Sequence, residues 1–185
     1  MKKIALLLIS LTLLINNSQS QDIWKTSEGT VSFFSSALLE DIYAESKKFA
    51  GAINTKTNVV AVFVKINTMQ MENKLQQQHF NEKYMESDKF PKGTFKGKVV
   101  GDIDWEKDGK YTVNVVGNLE IHGVSLERTI PVTIIIKGDN ISVESKFKVK
   151  IEEHKVKVPK LVFNKIAEIV DITLNATFLP YDENK

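Results

Sequence analysis

Val59-Val-Ala-Val-Phe-Val-Lys-Ile-Asn-Thr68 reads as a β-strand from its own pattern. Val60, Val62, Val64 and Ile66 fall on one face, Lys65 and Asn67 on the other. Successive side chains of a strand point to opposite faces, so this alternation means one buried and one wet face. The polar Asn54-Thr-Lys-Thr-Asn58 before it reads as a hairpin turn. The stretch Met69 to Gly97 follows it, with Leu75, Phe80, Tyr84, Met85 and Phe90. That is too much apolar surface for a free loop. Leu75 with His79, and Phe80 with Tyr84, share helical faces at i, i+4, and Pro91 ends any helix before it. The segment is expected to be a helical flap packed on one end of a β structure.

The same period of two recurs along the chain. Val31, Phe33 and Ser35 alternate with Ser32 and Phe34, and Lys48 to Ile53 reads as a weak strand. Leu38 to Ala44 fits either a bent strand or one helical turn. Thr94 to Ile103 is expected to be a strand, followed by a turn at Trp105-Glu-Lys-Asp-Gly109. Tyr111 to Gly123 puts Tyr111, Val113, Val115, Leu119 and Ile121 on one face. Arg128 to Lys137 does the same with Ile130, Val132, Ile134 and Ile136. After a turn at Gly138-Asp-Asn140, Phe147, Val149 and Ile151 interleave with Lys146, Lys148 and Lys150. Val158 to Ala167 holds room for a short helix. Val170 to Phe178 is the last strand, with Ile172, Leu174 and Ala176 inward. About eight strands result, joined largely by hairpins. Alternation favours antiparallel pairing with one wet face, and such a sheet must close or stack to hide its edges. The expected fold is all-β, an eight-stranded antiparallel barrel with one or two short helices at the rim. A barrel of that size leaves room for its own side chains or for one small ligand.

Composition narrows the function. The 185 residues suit one domain, with 42% hydrophobic and 26% charged residues. Subtracting Lys2 and Lys3 from the 25 basic residues leaves 23 against 23 acidic ones. A balanced chain argues against electrostatic nucleic-acid binding, which needs a basic face, and leaves room only for a local basic patch. Lys2 and Lys3, the apolar run Ile4 to Ile15 and the small residues Ser18-Gln-Ser20 form a secretory signal, residues 1–20. That run is too short to span a bilayer, which takes about 20 residues. The barrel domain is then 21–185, periplasmic or secreted, with no stable membrane span once the signal is removed. There is no cysteine, which removes disulfides, thiol catalysis and the lipidation site of a bacterial lipoprotein.

No catalytic constellation stands out, and the chain is read as non-enzymatic. His79, His122 and His154 are the three histidines, and no two have helical ligand spacing. His79 and Glu82 lie at i, i+3, a spacing common by chance. His122 ends a strand before Gly123 and, by strict alternation against Ile121, is expected to face outward and fix the turn by a hydrogen bond. No Gly-x-Ser-x-Gly elbow occurs, and Glu40-Asp41 and Glu152-Glu153 are adjacent pairs that would diverge. Asn175-Ala-Thr177 is a formal glycosylation sequon. No metal, catalytic residue or cofactor is implied.

The motif His79-Phe-Asn-Glu-Lys-Tyr-Met-Glu-Ser-Asp-Lys-Phe-Pro-Lys-Gly-Thr-Phe-Lys-Gly97 resembles the central signature of the YceI-like proteins. Gly117-Asn-Leu-Glu-Ile-His-Gly-Val124 followed by Ile130-Pro131 fits the same family. So do Val31-Ser-Phe-Phe-Ser35, Gly51-Ala-Ile53 and Phe147-Lys-Val149 before Val158-Pro159. Leu38-Leu-Glu-Asp-Ile-Tyr-Ala-Glu-Ser46 departs from the plainer strand of the family pattern. The resemblance implies a lipocalin-like barrel, exported, holding a polyisoprenoid or similar long-chain amphiphile. The candidate lumen and mouth residues are Phe33, Val62, Val64, Ile66, Phe80, Phe90, Phe95, Leu119, Ile121, Ile134, Ile136, Phe147, Val149 and Leu174. The alternative is a core filled by these side chains, which would make the protein an interaction module acting through its outer surface. An enzyme on a lipid substrate would lack a visible nucleophile. Sequence leaves the ligand and the oligomeric state open.

Overall fold

A computed structural model describes residues 22–36, 41–158 and 167–181. Eight strands form one closed antiparallel barrel, each paired with its neighbours in chain order. They are β1 (Ile23–Ser36), β2 (Asp41–Asn54), β3 (Val59–Lys65), β4 (Lys92–Val100), β5 (Gly109–Ile121), β6 (Val124–Lys137), β7 (Asn140–Lys150) and β8 (Ile169–Pro180). β8 closes on β1, with Phe33 opposite Ile172 and Val31 opposite Leu174. Closure removes the two free edges that an open sheet would expose. The expected signal, residues 1–20, and most of the expected helix between Val158 and Ala167 lie outside the described residues.

Most strands follow the expected alternation, and several boundaries differ: β3 ends at Lys65, with Ile66–Thr68 a 3-10 turn instead of strand, and β6 begins at Val124, before Arg128. β1 begins at Ile23, before Thr30. Asp41 to Asn54 is one continuous strand, so of the two readings of Leu38 to Ala44 the strand holds from Asp41 and runs on into the weak strand Lys48 to Ile53, while residues 38–40 lie outside the described residues. Register slips on either side of Gly29 interrupt the two-residue alternation within β1. A Cβ on Gly29 would sit 2.5 Å from the Phe49 ring and 2.8 Å from Ala176, so the missing side chain lets Phe49 tuck into the interior. β4 stops at Val100, not Ile103, because Gly101 turns the chain at φ +138.

The barrel has two unlike ends. One is plugged by packed side chains, including Trp24, Tyr111, Ile136 and Ile141, with Trp105 Nε1 donating to Asn58 Oδ1 at 2.7 Å. At the other end β3 leads into the flap, residues 66–91. The flap holds helix α1 (Lys74–His79) and a π turn over Phe80–Tyr84. Asn73 caps α1, its Oδ1 accepting from the backbone N–H of Leu75 and Gln76. The wide turn closes with the Met85 N–H donating to the Phe80 carbonyl.

Candidate functional site

The flap is anchored by polar contacts on its outside and apolar ones beneath. Glu45 and Gln70 exchange backbone hydrogen bonds of 3.1 and 2.8 Å, joining the flap to β2. Ser46 Oγ and Thr68 Oγ1 lie 2.7 Å apart. Below, Phe80 and Met85 are buried with Ala44, Ile66 and Met69. The Phe80 ring stacks on Phe33, centroids 5.4 Å apart. Leu75 stays exposed at 59%, so of the apolar groups that made this segment look packed, it is the one left in solvent.

His122 is not on the outer surface as strict alternation suggested. Its side chain is 9% exposed. His122 and Gly123 form the two-residue turn between β5 and β6, at φ +52 and +71. A turn with both central residues at positive φ leaves the pleat, so inside–outside alternation does not carry through it. A Cβ on Gly123 would strike the Phe90 ring at 2.5 Å. Phe90 thereby reaches the His122 ring, centroids 4.4 Å apart. His122 Nε2 lies 2.9 Å from Glu86 Oε2, and Nδ1 donates to the His154 carbonyl at 3.3 Å. Both ring nitrogens face oxygen acceptors, so only the doubly protonated ring donates to both. Glu86, His122 and Lys155 all have positive φ, at +42, +52 and +58. Each such residue carries local strain, and here the strain gathers where the flap, the β5–β6 turn and the end of β7 meet. We call this contact the latch.

Inside the barrel lies a cavity of about 580 Å³, running from the plugged end to the flap. Of the fourteen candidate residues, Phe33, Val62, Val64, Ile66, Phe80, Phe95, Leu119, Ile121, Ile134, Phe147, Val149 and Leu174 line it. Two do not. Ile136 belongs to the packed plug, and Phe90 covers His122 in the latch. The inward side chains therefore do not fill the core. Sequence reasoning missed the deep lining at Phe49, Ile53 and Phe178, and the flap residues Met69 and Met85. Their positions on the apolar faces of β2 and β8 were signals that pointed to Phe49, Ile53 and Phe178. Met85 was among the apolar groups that marked the flap as packed, whereas nothing local marked Met69.

The other two histidines behave differently. His79 is on α1, where Nε2 is 3.1 Å from Lys83 Nζ, while Glu82 pairs with Gln78 instead. His154 is fully buried and lines the cavity. Its Nδ1 donates to the Val124 carbonyl at 3.0 Å, and its Nε2 has no hydrogen-bond partner. Burial holds the ring below the usual histidine range, Arg128 adds to this, and the carbonyls of Val124 and Ile121 and the Glu153 charge oppose it. The carbonyl of Ile121 is close to the ring without completing a hydrogen bond of good geometry to Nε2. No sequence pattern around Glu152-Glu153-His154 distinguishes this histidine from a surface one.

The YceI-like domain family matches residues 24–178, which takes in all of the barrel but its first and last residues. The chain belongs to the YceI-like family. Its fold is similar to that of a polyisoprenoid-binding domain from Saccharophagus degradans, at TM-score 0.74 and 13% identity, over 87% of this chain and 99% of that one. It is also similar to BcnA from Burkholderia cenocepacia, at TM-score 0.64 and 18% identity, over 80% and 95%. A YceI protein from Campylobacter jejuni matches at TM-score 0.55 and 19% identity, over 99% and 100%. At these identities the likenesses show the YceI-like fold and no more. Comparison with curated protein sequences finds no match. Among the described residues of this YceI-like chain, no helix is long and apolar enough to cross a membrane.

Proposed function

We propose that the protein is an exported carrier that holds a polyisoprenoid or similar long-chain amphiphile in the barrel, without chemical turnover. The observation that carries this reading is the unfilled apolar lumen of about 580 Å³ beneath a flap. That volume lies within the roughly 300–1,000 Å³ of ordinary ligand sites. A methylene takes about the room of one liquid water, ~30 Å³, so the lumen accommodates roughly 20 of them. At ~0.8 kcal/mol per buried methylene, a chain of that length clears the cost of association, estimated at about 4–15 kcal/mol. The polyisoprenoid-binding description of the Saccharophagus degradans relative supports the class of cargo. The residue 1–20 signal supports delivery to the periplasm or the medium, where cell fractionation should find the protein.

Native mass spectrometry of protein purified from its own host tests the carrier reading. A co-purifying lipid is expected, as is uptake of a polyprenyl probe by delipidated protein. Val64→Glu, which places a carboxylate in the lumen wall, should abolish that uptake while circular dichroism stays that of a β-barrel. Protein that is always lipid-free and ignores polyprenyl probes would remove the reading.

A further inference from the structure

The barrel wall is not held together in the same way all round. At the flap end most neighbouring strands stay in register almost to their last residues: β5 with β6 to Ile121 and Val124, β7 with β8 to Lys150 and Ile169, β1 with β2 to Ser36 and Asp41. β2 outruns β3, and there the flap takes over through Gln70, opposite Glu45. Between β6 and β7 the pairing stops early, at Val132 and Ser145. Among the described residues, no backbone rung joins Ser125, Glu127 or Thr129 to Lys148 or Lys150. The sequence supplies the reason. The two-residue turn Gly138-Asp139 makes Lys137 and Asn140 a hydrogen-bonded pair, and such pairs alternate along an antiparallel ladder. Rungs therefore fall on Lys137, Ile135 and Thr133. The next is due at Pro131, which has no N–H to give.

Side chains hold this seam where the ladder does not. At its inner end Ser145 Oγ donates to the Pro131 carbonyl at 2.7 Å. At the flap end His154 Nδ1 donates to the Val124 carbonyl at 3.0 Å, and His122 Nδ1 to the His154 carbonyl at 3.3 Å. Between these ends Arg128 Nη2 donates to Glu153 Oε2. Alternation puts Arg128 on the face of β6 that carries the buried Ile130 and Val132, an unusual place for a charge. The ion pair is part-exposed, at 31% and 43%, so water and salt weaken it. Arg128 Nε is enclosed without a partner, a cost that the shut seam carries and that a parted, wet one relieves. Ile130, Phe147 and Val149, on the two margins of the seam, line the lumen. Along its outside Lys146, Lys148 and Lys150 are exposed on β7. Proline and lysine at an edge discourage another strand from adding to it, so the seam is poorly suited to capture a peptide strand.

We propose that the lumen exchanges its cargo sideways, through the β6–β7 seam, with the Arg128–Glu153 pair as the clasp. Laddered strands lie about 4.7–4.9 Å apart, too close for an alkyl chain to pass between them. A seam without rungs parts when its side-chain contacts let go, and the continuous ladders of β5 with β6 and β7 with β8 keep the barrel whole. The flap stays seated on β2 while cargo moves. This rests on the carrier reading and adds a route to it.

The chain has no cysteine, so paired cysteines report one cross-link at a time. The test follows uptake of retinol, a fluorescent isoprenoid alcohol, by delipidated protein in stopped flow. Thr129→Cys with Lys148→Cys, opposite each other if the β6–β7 register is carried on, locks the seam when oxidised. Glu45→Cys with Gln70→Cys locks the flap to β2. The oxidised seam lock should slow uptake at least ten-fold, with recovery on reduction, and the flap lock should leave the rate close to that of the unmodified protein. Glu153→Gln, at an exposed residue, should make uptake several-fold faster. Raising the ionic strength from about 0.05 to 0.5 M should speed uptake by the unmodified protein more than by Glu153→Gln, a comparison that needs no cross-link to form. Uptake at the unmodified rate with the seam locked overturns the proposal, as does uptake stopped by the flap lock alone. Equal rates and equal salt dependence in Glu153→Gln and the unmodified protein overturn it too. Unmodified protein that takes up neither retinol nor a polyprenyl probe overturns the carrier reading and this proposal with it.

Discussion

Chain length offers a direct measure of the lumen. If the tail of the cargo lies in the 580 Å³ cavity, affinity should rise with each added methylene until the space is full. Each methylene is worth about 0.8 kcal/mol, or about four-fold in Kd. The rise should level off near 20 carbons, when ~30 Å³ per group has used the volume. Val115 on β5 is 5% exposed and lines the cavity. Val115→Phe enlarges a side chain of the wall by ~50 Å³, so at ~30 Å³ per methylene the plateau should arrive about two carbons sooner. Below that plateau the two proteins should give parallel slopes. The assay is displacement of a fluorescent probe by a series of straight-chain alcohols. Plateaus at the same length in both proteins would refute the placement of the tail in this lumen, and so would an absence of length dependence.

Two further outcomes test the flap end. His122→Ala removes the contact with Glu86, whose carboxylate is 43% exposed, so the loss in unfolding free energy should be modest, about 1–2 kcal/mol. Probe release measured by stopped flow should nevertheless become several-fold faster, and an unchanged rate would mean that the flap opens away from the latch. His154 supplies a pH dependence. Its folded-state pKa is lowered by burial, so the unfolded chain binds the proton more readily. The associated stability is present above the ordinary histidine value of about 6.5 and is lost as pH falls from there toward the lower folded value. Urea midpoints at pH ~7.5 and ~5 should therefore differ less in His154→Leu than in the unmodified protein; equal differences would show that the buried ring is not what resists protonation.

The strands were legible because a period of two is a local property of extended backbone. Val170 to Phe178 shows its faces without reference to any other segment. Where the strands depart from that period, the cause is also local but finer than a hydropathy pattern. Gly29 interrupts the phase of β1 through register slips. Gly101 ends β4 through a backbone conformation and not through a change in polarity. His122 departs from alternation because it sits in a turn at positive φ, where the pleat does not continue. Phe90 and Ile136 were credited to the lumen on apolar character alone, which does not separate a side chain facing a void from one packed in the plug or lying on a histidine ring.

Sequence by itself determined the antiparallel β class, the inward faces, the flap and the family. Only tertiary structure decided that the inward side chains leave about 580 Å³ unfilled, because a barrel's radius depends on strand number and stagger after β8 meets β1, not on any one strand. Tertiary structure likewise decided that His154 is buried and His79 is not. The two rings are chemically identical, and what separates them is which segments fold over each.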